Sequence, residues 1–177
     1  LRSMLHAFAG SDRRPSHLLA YANHELLDSR MPIGFVTAIY AAVDPRTGEI
    51  EYASAGHPPP IVAGARARLL EGHARPPLGI VRDLSACDQR ERLAPGESLV
   101  LVTDGVPEAF DAQQEMLGMH GVREALAGAS PSAAAVLERL ERRLDEHSGP
   151  QAPRDDQTMI ACTYRGSPRT PSPTENA

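Results

Sequence analysis

The sequence predicts an α+β fold with a largely antiparallel sheet. Residues 35–43 (FVTAIYAAV) and 49–55 are two strand patterns separated only by Asp44-Pro45-Arg46-Thr47-Gly48. A connection that short returns the chain as a hairpin, whereas parallel strands need a long crossover. Helical periodicity is grouped, at the start of the chain and again after residue 105, and does not alternate strand by strand.

The first thirty residues read as helical. Met4, Leu5 and Phe8 share a face. Beyond residues 10–14, Pro15 suits the first turn of a second helix, where its missing N–H costs nothing. Leu18, Leu19, Ala22, Leu26 and Leu27 then recur at helical spacing, and Met31-Pro32 ends the run because the residue before Pro avoids the helical region. Residues 35–43, apolar on both faces, read as a central strand. In the turn, Pro45 fixes φ and Gly48 permits a positive φ. Residues 49–55 alternate as the returning strand, broken by Gly56-His57-Pro58-Pro59-Pro60. Shorter strands are expected at 61–63, 68–70 and 88–93. The Pro95-Gly96 turn leads into 98–103 (SLVLVT), a strand of buried composition. Short helices are expected at 106–110 and 121–127. The clearest helix is expected to start from an N-cap at Ser130 and run through Pro131 to His147, with Ala133, Val136, Leu137, Leu140 and Leu144 as its apolar stripe. Residues 139–143 read as a solvated face in which Arg and Glu interleave. A loop at 148–154 and a last strand at 158–164 (TMIACTY) complete the order. Residues 166–177, rich in Pro, Thr and Ser, read as a disordered tail.

A chain of 177 residues fits one domain and buries roughly 70% of its unfolded surface, so it holds a core without disulfides or metal. The 18 basic residues, all Arg, against 23 acidic ones leave a net charge of −5, which argues against a nucleic-acid binder. No run approaches the ~20 apolar residues of a membrane span, and no signal segment opens the chain. Cys87 and Cys162 are too few and too far apart for a zinc site or a disulfide framework, and neither has a basic neighbour in sequence arranged for nucleophilic work. Together these point to a cytoplasmic protein. The chain opens on Leu1 with its first Met at position 4, which reads as a fragment of a longer protein.

Two acidic clusters stand out. Asp104 follows an apolar strand and precedes Gly105, where a glycine lets another backbone or a ligand approach. Asp155-Asp156 sits at the entrance to the last strand. If the two strands are neighbours, the carboxylates converge at one sheet end. Oxygen-only ligation there suits Mg²⁺ or Mn²⁺, and a pair of such ions activates water against a phosphoryl group. Each Asp can instead cap a turn, as most strand-end Asp residues do, and the pattern alone favours capping. His57, at another strand end, either fixes the turn before three prolines or contacts a phosphate or water. Thr103 and Thr158 read as supports for backbone or ligands.

The segments FVTAIYAAVDPRTGEIEYASAGHPPPIV, PPLGI, LAPGESLVLVTDGVPEAFD and RDDQTMIACTY, in this order, resemble the SpoIIE-like bacterial serine phosphatases of the PPM-type, protein phosphatase 2C-like superfamily. The resemblance runs from about residue 1 to 164. It implies an α-β-β-α sandwich of two mainly antiparallel sheets, with a two-metal Mn²⁺ or Mg²⁺ cluster at the sheet ends. It makes Asp104 of the TDG segment a metal ligand, together with an Asp of the DDxT segment, Asp155 in preference to Asp156. A full family member has an Asp-bearing strand and a G-D-x-x-G-H/K-G-like segment before the opening helices, and Gly10-Ser11-Asp12 does not match it. The resemblance therefore implies a domain over 1–165 that is incomplete at its N-terminus and holds half of the metal site. The implied function is hydrolysis of phosphoserine on a regulatory protein of the anti-sigma-factor antagonist type by metal-activated water. The alternative is a truncated or degenerate, non-catalytic interaction module. Without the family's opening strand, an unpaired edge is expected beside residues 35–43 or 98–103, which would favour self-association.

Overall fold

The computed structural model describes residues 14–28, 34–70, 72 and 75–166. The expected opening helix, the Met31-Pro32 terminator and the tail from 167 onward lie outside these residues. The elements in order are α1 (Pro15–Asp28), β1 (Ala38–Val43), β2 (Glu49–Ala55), β3 (Ile61–Ala63), β4 (Arg68–Leu69), β5 (Gln89–Arg92), β6 (Ser98–Val102), α2 (Gly118–Leu126), α3 (Ala133–Ser148) and β7 (Met159–Thr163). Every strand pairing is antiparallel, in one sheet ordered β1-β2-β5 and another ordered β4-β3-β6-β7.

Three apolar layers hold these elements as an α-β-β-α sandwich. Leu19 and Ala22 of α1 pack on Ala53 and Ala55 of β2 with Leu78 and Leu84. Between the sheets lie Ile50, Tyr52, Val62, Leu70, Leu93 and Leu99. On the far side, Ile61, Ala63, Val100 and Val102 meet Val122 and Leu126 of α2 and Val136, Leu140 and Leu144 of α3. β2 and β6 thus bury side chains on both faces, which is why their patterns look continuously apolar.

Four expectations change. Residues 35–43 do not form a central strand. β1 begins at Ala38, its six residues are only half-buried, and among the described residues it pairs with β2 alone. Val36 instead forms a single bridge with Leu78, and Phe35 is exposed. Residues 106–110 are not helical: turns span 104–108, with bonds from Val106 to Thr103 and from Glu108 to Asp104, and Phe110 forms a single bridge with Met116. Ser132, not Ser130, stands at the N-cap of α3, since the Ser130 carbonyl accepts the Ser132 amide in a tight turn around Pro131. Arg139 is not simply solvated: it is half-buried and its Nε donates to the Ala125 carbonyl, tying α3 to α2.

The layer between the sheets is open along one side. Register places Cys162 opposite Leu99 and Ile160 opposite Leu101, so all four face the same way. Leu99 is buried there, yet Ile160 remains 57% exposed. At the opposite side, Arg68 of β4 donates to both oxygens of Glu97, at 2.6 and 3.3 Å, and the Ala94 amide donates to the same carboxylate at 2.9 Å. Partial burial acts to raise the pKa of Glu97, but these hydrogen bonds and the Arg68 charge outweigh it and hold the carboxyl below its ordinary value of 4.5.

Two outcomes follow from this packing. Leu140→Ala removes a fully buried side chain and should cost about 2–4 kcal/mol in urea unfolding, while Ile160→Ala should cost less than about 1 kcal/mol. Because the Glu97 pKa is lower in the folded chain, its contribution is present above the unfolded carboxyl's pKa and is lost as pH falls through the folded value. Glu97→Gln should therefore lower stability at pH 7 and flatten the acid limb of a pH-dependent melting curve.

Candidate functional site

The antiparallel pairing of β6 with β7 matches Val102 to Met159. The last residues of one strand therefore lie beside the first of the other, and the TDG and DDQT segments leave the same end of the sheet. Four hydrogen bonds clasp them. The Thr103 amide donates to the Thr158 carbonyl at 3.0 Å, and the Thr158 amide donates to Thr103 Oγ1 at 2.9 Å. Thr103 Oγ1 in turn donates to the Asp156 carbonyl at 3.0 Å, and Gln157 Nε2 donates to the Gly105 carbonyl at 3.0 Å. One threonine hydroxyl thus satisfies backbone groups at both ends of the second loop. The supporting role expected of Thr103 is seen directly.

Gly105 is where the two loops touch. A Cβ at that position would lie 2.6 Å from the Asp156 carbonyl oxygen and 3.4 Å from the Asp155 carbonyl carbon. No ordinary side chain fits without parting the loops.

Asp104, Asp155 and Asp156 are all exposed at this end. Asp104 Oδ1 accepts the Gly105 amide at 3.1 Å, and Asp155 Oδ1 accepts the Asp156 amide at 2.7 Å. Each of these two carboxylates is thus oriented by its own loop, as a turn-capping Asp is, while remaining at the surface. Beside them, Arg154 stacks over Phe110 at 4.2 Å and bonds Gln114, so the loop after TDG is joined to the residue before Asp155. His147 of α3 contacts the carbonyls of Ala109 and Glu115 across the same loop.

His57 comes to this end from the other sheet. The Ser54 hydroxyl donates to its carbonyl at 3.2 Å, which fixes the turn, and Thr37 Oγ1 lies 3.5 Å from Nδ1. Burial pushes the imidazole pKa below its ordinary value, and the nearby Asp104 charge and Val102 carbonyl only partly oppose this. The shift favours the neutral ring. The fold brings all four sequence-selected residues to one end of the sandwich.

Among the described residues, no three His, Cys, Asp or Glu side chains gather as a cage for a metal ion. The donor chemistry nevertheless suits a hard cation of the Mg²⁺ kind, which commonly takes one or two carboxylates and keeps several waters. Sequence reading missed Gln157 and Thr37, polar residues without a motif, and it missed the surroundings of Cys87. Nothing in the sequence pattern indicated that Arg75 approaches Cys87, yet Arg75 Nη2 lies 3.4 Å from its Sγ. Twelve residues of irregular chain separate the two, which no local pattern could bridge.

Comparison with known proteins sets this arrangement in context. The family model described as stage II sporulation protein E (SpoIIE) matches residues 1–165. Protein IcfG of Synechocystis sp. is 28% identical over 134 residues, which cover 74% of this chain and 21% of IcfG. The chain thus spans a minor part of that relative. The manganese-presoaked phosphatase domain of the cell fate determinant SpoIIE from Bacillus subtilis aligns over 96% of this chain and 73% of its own, with 15% identity and a TM-score of 0.67. The SiaA PP2C domain of Pseudomonas aeruginosa aligns over 90% and 65%, with 22% identity and a TM-score of 0.73. At these identities the structural likenesses establish the fold, that of PP2C phosphatase domains.

The loop contact has a direct test. Gly105→Ala should separate the TDG and DDQT segments, lowering the melting temperature and shifting the amide resonances of residues 155–158. Unchanged resonances there would contradict the contact.

Proposed function

The chain belongs to the SpoIIE family, and from that premise we propose that it is a metal-dependent protein serine/threonine phosphatase domain acting on a phosphorylated bacterial regulatory protein. The observation that carries this reading is the backbone-clasped meeting of the TDG and DDQT loops, with Asp104 and Asp155 exposed at one sheet end.

In this reading Asp104 and Asp155 hold a divalent cation, Mn²⁺ or Mg²⁺, whose other positions are filled by oxygens from outside the two loops. A bound cation of this kind supplies a water of lowered pKa and charge stabilisation at the phosphoryl oxygens. The chain's own contribution is positional. Thr103 and Gly105 set the spacing of the two acidic loops, and each loop's amide orients its carboxylate. Asp156 takes the secondary place, since the family resemblance matches Asp155 to the ligand position of the DDxT segment. His57, in its favoured neutral form, can accept or donate one hydrogen bond to a phosphate or water beside Asp104. The partner is of the anti-sigma-factor antagonist type, as the family resemblance implies.

A second reading, a non-catalytic domain that binds such a partner, draws on the two-carboxylate donor set among the described residues. Activity separates the two. In Mn²⁺ the chain should hydrolyse p-nitrophenyl phosphate only weakly, with Asp104→Asn and Asp155→Asn each weakening Mn²⁺ affinity by at least about tenfold and Asp156→Asn doing so less. Hydrolysis indifferent to Asp104→Asn would contradict the site. Mn²⁺ binding without hydrolysis would favour the second reading.

A further inference from the structure

Beside His57, the turn after β2 closes over a cavity of about 390 Å³ whose polar lining is Tyr52, Ser54, His57, Arg75, Cys87 and Gln89. Several of these groups already have partners. Tyr52 donates to the Leu70 carbonyl, and Ser54 donates to the His57 carbonyl. Arg75 stands apart. Its Nε is buried and has no hydrogen-bond partner. Its Nη2 meets only the sulfur of Cys87, a weak acceptor that also receives Gln89 Nε2 at 3.8 Å. Among the described residues no carboxylate forms an ion pair with it.

Arg75 is also held in place. The Gly56 amide donates to its carbonyl at 3.0 Å. Gly56 has φ +69°, and a Cβ there would lie 2.6 Å from Pro77 Cγ, so the turn and the Arg75–Pro77 segment lock together. A buried guanidinium N–H left unpaired is costly, because the group is charged. Arg75 lines the cavity, and a guanidinium with no carboxylate partner at a cavity wall matches an oxyanion, which accepts such bonds.

We propose that this cavity is an oxyanion-binding site in which Arg75 pairs with a carboxylate or phosphate group. The volume exceeds that of a free ion, so the anion is carried on a larger body, such as an acidic or phosphorylated side chain of a polypeptide. The site shares His57 with the phosphatase reading but needs no cation.

Cys87 reports on occupancy. With EDTA present throughout, alkylation of the chain by iodoacetamide is followed at Cys87 and Cys162 by mass spectrometry, with inorganic phosphate in one arm and glutarate in the other. Cys162 is exposed and lies on β7, so it serves as the internal control. The expected result is a several-fold, saturable slowing at Cys87 alone. Slowing by phosphate identifies a phosphoryl ligand, and slowing by glutarate identifies an acidic side chain. Arg75→Gln should abolish the effect. Should that variant not fold, Arg75→Lys, which keeps the charge without the Nε–H, should raise the anion concentration needed. Equal alkylation of Cys87 with and without both anions overturns the proposal. So does slowing shared with Cys162, or protection undiminished by the Arg75 variants.

Discussion

The hydroxyl of Thr103 is the interaction on which the site depends. It accepts the Thr158 amide and donates to the Asp156 carbonyl, satisfying the second loop at two points where the β6–β7 ladder has ended. A strand pair normally frays beyond its last rung, and loops leaving it diverge. Here the side chain continues the pairing for three further residues, and Gly105 allows the backbones to close to a distance no Cβ would permit. Two exposed acidic segments that would repel one another are thereby kept adjacent. That is a cost the apolar layers beneath must offset.

Those layers are unevenly closed. The layer under α2 and α3 is sealed by Val100, Val102, Leu126 and Leu140, each almost inaccessible to water. The layer between the sheets is sealed at its centre and at the β4–β5 side, where Arg68 bridges to Glu97 and Glu91. Along β1 and β7 it is open: Ile160 is exposed and β1 is half-buried throughout. Rigidity is therefore concentrated where β6 and β7 meet α3, directly behind the paired loops.

Much of this was legible in the sequence. The hairpin of β1 and β2 followed from Pro45 and Gly48 between two apolar runs, and β2 has the expected bounds. The stripe Val136, Leu140 and Leu144 marked the buried face of α3. The convergence of Asp104 with Asp155 and Asp156 could be written only conditionally, because it requires β6 and β7 to be neighbours across more than fifty residues. Residues 35–43 misled because apolar content does not tell burial on two faces from a strand whose second edge lacks a described partner. The helical pattern at 106–110 misled because Phe110 pairs with Met116, a contact that lies outside the local window. Arg75 and Cys87 were illegible, since they meet only through the irregular chain after β4.

The central claim is that the clasp makes one cation site from two loops. Sub-stoichiometric Mn²⁺ added to ¹⁵N-labelled chain tests it most directly, through paramagnetic broadening of amide resonances. The account predicts that residues 103–105 and 155–158 broaden together and first, and that Thr103→Val uncouples them. Broadening confined to one loop, or spread evenly over the acidic surface, would contradict it.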